Sequence, residues 1–126
     1  MRNRQKRKRK TWLSGYYSND YRPMTEDEEQ QLRREMSRGQ QARELLEHPL
    51  FVEAFEKVRS GILQSWEASP IRDEEGQRSL RLMLKVLNDV KKNIEEVAQT
   101  GKIASIQREQ EQTRLERMKN RFRRFA

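Results

Sequence analysis

The sequence contains no cysteine, one histidine, three prolines and five glycines in 126 residues. The absence of cysteine excludes a disulfide scaffold and a thiolate metal site. A single histidine argues against a histidine-based zinc site and against a Ser-His-Asp triad. Hydrophobic residues make up 33% of the chain, below the roughly 45–50% of ordinary globular proteins. A large hydrophobic core is therefore excluded.

Long apolar runs are also missing. No run approaches the roughly 20 residues that span a bilayer, so we expect no membrane protein. The first ten residues, MRNRQKRKRK, have no apolar stretch behind them, so we expect no secretory signal. The glycines are isolated, which excludes a glycine-rich phosphate loop, and HExxH, CxxC and EF-hand spacings are absent. We therefore expect no catalytic residue, no metal site, no cofactor and no enzymatic activity.

What the sequence does contain is charge, and that charge is segregated along the chain. The formal net charge is +8, and residues 1–10 carry seven basic residues and no acidic one. Residues 25–101 hold 16 acidic and 12 basic residues, whereas residues 102–126 hold three acidic and eight basic ones. Blocks of like charge stay solvated unless a polyanion or an acidic surface binds them. The pattern predicts a mildly acidic body with a basic segment at each end.

Residues 1–24 show no helical or strand period, and we interpret them as an extended arm rich in basic and aromatic residues. Basic side chains neutralise phosphates and aromatic rings stack on bases, so the arm is a candidate nucleic-acid-binding segment. The rings are equally suited to anchoring the arm on an acidic partner protein or on the protein's own helices. The candidate binding residues are Arg2, Arg4, Lys6, Arg7, Lys8, Arg9, Lys10, Trp12, Tyr16 and Tyr17.

Residues 25–101 read as a helical body with helices at about 26–47, 50–68 and 74–100. Thr25 followed by Glu28 predicts a capping box at the start of the first helix. That helix is very polar, and it is either one long helix or two pieces broken near Gly39. Pro49 suits the first turn of the second helix, and Asp73 is a good N-cap for the third. Gly101 is the expected left-handed C-cap of the third helix.

The second and third helices carry apolar residues at helical spacing, and a short turn joins them. A short connection implies antiparallel neighbours. The sequence therefore predicts an all-α protein with a central antiparallel helical hairpin and a polar helix before it. The expected packing residues are Phe51, Phe55, Val58, Ile62 and Trp66 on one helix, and Leu80, Met83, Leu87, Val90, Ile94 and Val97 on the other.

Residues 102–126 form a basic amphipathic helix or tail. Such a helix docks into a protein groove or binds a polyanion or a membrane surface. The alternative is that its apolar stripe packs back on the hairpin as a third core helix. The candidate docking residues are Arg114, Leu115, Arg117, Met118, Arg121, Phe122, Arg123, Arg124 and Phe125.

Residues 42–104 also resemble a known group of proteins. The features that carry the likeness are an L-L-x-x-P-x-F entry at residues 45–51, Trp66 followed closely by serine, and Asp73-x-Glu75-Gly76. An L-x-x-x-L-K-x-L-N-like run at residues 80–88 and Thr-Gly-Lys at residues 100–102 complete them. The block resembles small helical proteins of tailed bacteriophages found near head-assembly genes. The resemblance implies a viral source, a helical hairpin and a role in the virion or its assembly.

Charge and resemblance together predict a non-enzymatic structural or assembly component of a phage particle. We expect several copies in one assembly, located in the virion after assembly in the host cytoplasm. Its partners would be viral structural proteins of the capsid or portal type, and packaged DNA contacted by the basic segments. The alternative is a non-specific nucleic-acid-binding accessory or regulator, since no helix shows the pattern of a recognition helix.

Overall fold

The computed structural model of this protein describes residues 22–125, and they are helical almost throughout. Three helices follow one another: α1 (Glu26–Glu47), α2 (Pro49–Ala68) and α3 (Glu74–Phe125). No strand occurs within this described range. The all-α class predicted from the sequence is confirmed. Residues 1–21, which include all ten candidate binding residues of the N-terminal arm, lie outside the described range.

The start of α1 is fixed by the predicted capping box. The Glu28 backbone N–H donates to Thr25 Oγ1 over 3.2 Å, and the Thr25 N–H donates to the Glu28 carboxylate over 3.2 Å. These two bonds satisfy donors that a helix start would otherwise leave unpaired. From there α1 runs unbroken to Glu47, so the interpretation as one long helix is correct and the break near Gly39 is not found.

A single residue, His48, separates α1 from α2. Its backbone N–H donates to the Leu45 carbonyl over 3.2 Å, which closes α1. Its ring Nδ1 accepts the Leu50 N–H over 3.2 Å, which caps α2. Pro49 occupies the first turn of α2, where its missing N–H costs nothing. The one histidine of the chain therefore serves the junction between two helices.

The turn between α2 and α3 is held by short-range hydrogen bonds. The Ser69 hydroxyl donates to the Trp66 carbonyl over 2.7 Å, and the Asp73 N–H donates to the Pro70 carbonyl over 3.0 Å. The Asp73 carboxylate then accepts the Gly76 N–H over 3.0 Å, as an N-cap does. The chain reverses here, and α3 begins at Glu74.

Both shorter helices lie alongside the long α3 and run antiparallel to it. Phe55 in α2 lies beneath Lys91, whose Nζ is 5.1 Å from the ring centroid, and Ile62 lines a cleft with Leu84 nearer the turn. In α1, Gly39 faces Gly101, and Met24 before the helix lies near Glu111. The N-terminal half of α3 is thus paired with α2 and its C-terminal half with α1.

The expectation that the third helix ends at Gly101 is wrong. One 52-residue helix continues from Glu74 through Gly101 to Phe125, and no described glycine has a positive φ. Gly101 is buried against α1 instead: a Cβ built on it would lie 2.6 Å from the Cα of Gly39. The glycine is present because two helix backbones meet there. The C-terminal segment is consequently neither a separate helix nor a loose tail but the second half of α3.

The core of the described chain is small. Its buried apolar residues are Leu32, Ala42, Phe55 and Ala104. Of the eleven predicted packing residues, Phe55 is buried and six are half-buried: Phe51, Ile62, Leu80, Leu87, Ile94 and Val97. The other four are about half open to solvent, since Val58, Trp66, Met83 and Val90 are 49–54% exposed. Two helices side by side cover only one flank of each other, so part of every broad apolar stripe stays open.

Candidate polyanion-binding pole

The start of α1 and the last third of α3 lie at the same end of the molecule. One Nη of Arg114 donates to the Arg22 carbonyl over 3.0 Å. The Met24 N–H lies 3.5 Å from a carboxylate oxygen of Glu111. These contacts fix the point where the chain enters the described body, next to Arg114. The described chain therefore begins beside the basic end of α3.

Beyond Arg114, α3 continues for eleven residues to Phe125. At 1.5 Å per residue this is an extension of about 17 Å. Residues 112–125 hold six basic residues and one acidic residue. Arg117, Arg121, Arg123 and Arg124 are exposed. We call the stretch from Arg114 to Phe125 the basic pole. Its guanidinium groups are suited to neutralising phosphates in solution.

Apolar side chains lie among these basic residues. Leu115 is 42% exposed and Phe122 is 72% exposed, whereas Met118 is half-buried. A ring as exposed as Phe122 is available for stacking on a base or for insertion into an apolar pocket. The pole therefore offers both electrostatic and apolar contacts, as the sequence predicted for a docking helix.

An acidic cleft borders the basic pole on the side of the body. The first turn of α1 carries Glu26, Asp27, Glu28 and Glu29, which suit the positive end of the helix dipole. An open cleft of about 800 Å³ lies between this turn and α3, with four carboxylates and one guanidinium among its lining groups. Glu28 also forms an ion pair with Arg22. Four carboxylates against one guanidinium make the cleft unfavourable for a polyanion, whereas the exposed guanidinium groups of the pole favour one.

The tail residues predicted as a docking surface lie in the expected register, with two differences. Arg114 and Met118 are half-buried, because the chain around Arg22 covers this part of α3. Leu115, Arg117, Arg121, Phe122, Arg123 and Arg124 are exposed. The apolar stripe that the alternative packs onto the hairpin as a third core helix is largely open, since Leu115 and Phe122 are exposed and Met118 is half-buried. The side chain of Phe125 lies outside the described set.

No group of three or more His, Asp or Glu residues in the 22–125 range is arranged to hold a metal ion. None of the three described helices has a stretch apolar enough to cross a membrane.

Sequence reasoning missed the helix crossing that brings Arg22, where the described chain begins, to Arg114 in the pole. The contact is made by Gly39 and Ala42 of α1 and by Gly101 and Ala104 of α3, all buried. Both helices carry the same Gly-x-x-Ala spacing, which places small residues on one face and lets backbones approach. That repeated spacing was the available signal. Comparisons of the chain with family models, with curated proteins and with solved structures give no match.

Proposed function

We propose that this protein is a non-enzymatic structural or assembly component of a bacteriophage particle. It docks through its helices onto capsid or portal-type proteins, and through its basic arm and basic pole onto packaged DNA or an acidic protein surface. The viral part of the proposal is supported by the resemblance of residues 42–104 to small phage proteins. The docking part is supported by the distribution of charge on the molecule.

One observation carries the proposal: the described chain begins beside the basic pole, where Arg114 donates to the Arg22 carbonyl. The 1–10 segment and residues 114–125 are more than 100 residues apart in the sequence. Because the 1–10 segment is linked to Arg22 only through residues 11–21, this contact tethers it to the end of the molecule that carries the pole. We propose that both segments act on the same polyanion, so that their positive charges add. Such a field attracts a polyanion from solution and binds it largely without regard to sequence.

The test is binding of the full chain to a mixed-sequence DNA duplex across a range of salt concentrations, measured by fluorescence anisotropy. We expect log K to fall linearly with log salt. Changing Arg117, Arg121 and Arg124 to Gln removes three exposed cations from the pole. The slope should then decrease by about 2–3, because each phosphate contact contributes about 0.9. Deleting residues 1–10 should weaken binding further, with the helical circular dichroism signal unchanged.

The matched control removes the same charge from the same helix. Arg78, Arg81 and Lys85 are exposed on the N-terminal half of α3. Changing these three to Gln should leave the affinity and the salt slope close to those of the unchanged protein. Equal losses from the two triple variants would show that net charge alone acts, and the pole would have no special role. Unchanged binding by the pole variant would overturn the proposal for this segment.

A second candidate function is a nucleic-acid-binding accessory or regulator that is not part of the particle. The same basic pole favours it, since the pole does not itself distinguish packaged DNA from free nucleic acid. The two functions predict different locations after assembly. A structural component stays in the finished particle, whereas an accessory protein or regulator does not.

A further inference from the structure

One flank of the α2–α3 pair carries no charge although 38% of the chain is charged. Leu63 and Trp66 share a cleft with Arg78 and Arg81 on one side of the pair. The helical period therefore places Ala54, Val58 and Gly61 of α2, and Met83, Val86 and Val90 of α3, on the opposite side. All six are exposed. We call these six residues the neutral flank.

Gly61 is the informative residue of the neutral flank. Gly39 and Gly101 lie at a helix crossing, and a side chain at Gly76 would collide with the capping carboxylate of Asp73. A Cβ added at Gly61 meets no atom within 4 Å. Glycine in an exposed helix interior is less favourable than alanine, and nothing among the described residues requires it here. At Gly39 the same residue type marks a place where another helix comes close.

The neutral flank is also complementary to itself in shape. Ala54 has one side-chain carbon and Gly61 has none, so we expect a shallow groove on α2 on either side of Val58, whereas the larger Met83, Val86 and Val90 should form a ridge on α3. Because Phe55 lies level with Lys91 and the helices are antiparallel, groove and ridge occupy the same stretch of the pair. A twofold axis parallel to the helices would set the ridge of each copy into the groove of the other.

We propose that the neutral flank binds a second copy of this chain and forms an antiparallel four-helix bundle. Within the described residues a single chain buries only four apolar side chains, so it has too little core to be stable alone. The flank supplies both halves of the contact, and interdigitating side chains are how such bundles pack. The axis keeps both basic poles at the same end of the dimer. This inference is independent of DNA binding.

The first experiment is sedimentation equilibrium of the full chain over a wide concentration range. We expect a discrete dimer. Val90→Glu places a charge on the ridge and Gly61→Leu fills the groove, and each should raise the dissociation constant at least tenfold. Both sites are exposed in the single chain, so helical content at high protein concentration should be retained. A monomer at all concentrations would overturn the proposal.

The control is Ile106→Glu, which makes the same change at an exposed site on α3 beyond the reach of α2. Ile106 is 46% exposed and Val90 is 49% exposed. The control should dimerise like the unchanged protein. Equal weakening by Ile106→Glu and Val90→Glu, or no weakening by either flank variant, would place the dimer contact elsewhere.

The relative direction of the two copies is tested separately, by the distance between spin labels. The chain has no cysteine, so Thr113→Cys gives a single spin-labelling site near each pole. Poles at the same end predict a distance between labels of about 20–35 Å, from helices packed 8–10 Å apart. Poles at opposite ends would give a distance between labels of about 90 Å. This is twice the length of α3 from the middle of the α2–α3 pair to residue 113, at 1.5 Å per residue. The longer distance would overturn the proposed axis.

Discussion

Gly39 and Gly101 determine where α1 lies on α3. A Cβ built on either residue would lie 2.6 Å from the Cα of the other, and the Cβ at Gly101 would also lie 2.8 Å from the Glu35 carbonyl oxygen. Atoms at these distances overlap, and the neighbours here are backbone atoms that cannot rotate away. The contact therefore tolerates no side chain on either helix, and the two helices would have to separate to admit one.

Replacing Gly39 with alanine should destabilise the protein by up to about 2 kcal/mol. Overpacking costs about 1–3 kcal/mol, and the better helix propensity of alanine returns about 1 kcal/mol. The measurement is urea unfolding followed by circular dichroism at one fixed protein concentration. Ser37→Ala, at an exposed site on the same helix, is the control and should be neutral or slightly stabilising. A stabilised Gly39→Ala variant would contradict the close crossing.

At the scale of elements, α3 is the common support of the other two helices. Its 52 residues extend about 78 Å, and α1 and α2 lie along successive parts of it. The polar α1 has three buried residues, Leu32, Gly39 and Ala42. All three face α3. A helix with so few apolar residues is stable only when a partner runs along its length. Continuity of α3 is thus what keeps α1 folded.

Lys102→Pro tests that continuity. Lys102 is exposed and follows Gly101 in the middle of α3, where proline removes a helix hydrogen bond and costs about 3 kcal/mol or more. We expect a large loss of helical circular dichroism and of the unfolding midpoint. Lys102→Ala should leave both almost unchanged. If the chain instead left the helix at Gly101, proline after the cap would be tolerated, so a stable proline variant would contradict the single long helix.

Helix starts were predictable from the sequence because they depend on neighbouring residues. Thr25, Pro49 and Asp73 each act within three residues of their own position, and all three helices start where these residues predict. Gly101 was misinterpreted because glycine suits a C-cap and a close crossing equally. Only its distant partner, Gly39, decides between the two, and single-sequence spacing does not show which pairs of helices meet.

The residues of the candidate site were predictable from the sequence, but their arrangement in space was not. The basic residues of the tail and their apolar stripe follow from helical spacing, and the structure gives the same register. The contact between Arg22 and Arg114 depends on α1 running back along α3, and this follows from the glycine crossing. The exposure of Val58 and Val90 was not predictable either, since a heptad pattern does not state whether its partner lies in the same chain.

At the scale of the whole molecule, charge is distributed between two ends. The basic pole occupies one end of the described chain. Around the turn at the other end, residues 66–78 hold four acidic and two basic residues, and Ile71 is 91% exposed. A molecule with opposite ends of this kind is oriented by a charged surface: the pole points toward a polyanion and the turn points away.

The proposed place in a particle makes a direct prediction about purified virions. Quantitative mass spectrometry of particles from the encoding phage should find this protein in a fixed number of copies per particle. The copy number should persist after nuclease treatment of the particle exterior, because packaged DNA and inner capsid surfaces are protected. Emptying the particles of DNA then separates the two kinds of contact. Copies bound to capsid or portal-type proteins stay, and copies bound to DNA leave.

The accessory function predicts a different result. A regulator would be abundant in infected cells and absent from washed particles, or present only in traces that vary between preparations. Trace, variable copy numbers would overturn the structural proposal and favour the second candidate, while leaving the dimer inference untouched.

The pairing of α1 with the distal half of α3 also determines when this protein can fold during its synthesis. Domains form as the chain emerges from the ribosome, N-terminal parts first. Here α2 and the start of α3 can pair early, because the turn that joins them is short. The first helix must wait, since Gly39 meets Gly101 and Arg22 meets Arg114. The basic pole is therefore completed after the α2–α3 pair, and a nascent chain lacks it until residues 114–125 have emerged from the ribosome.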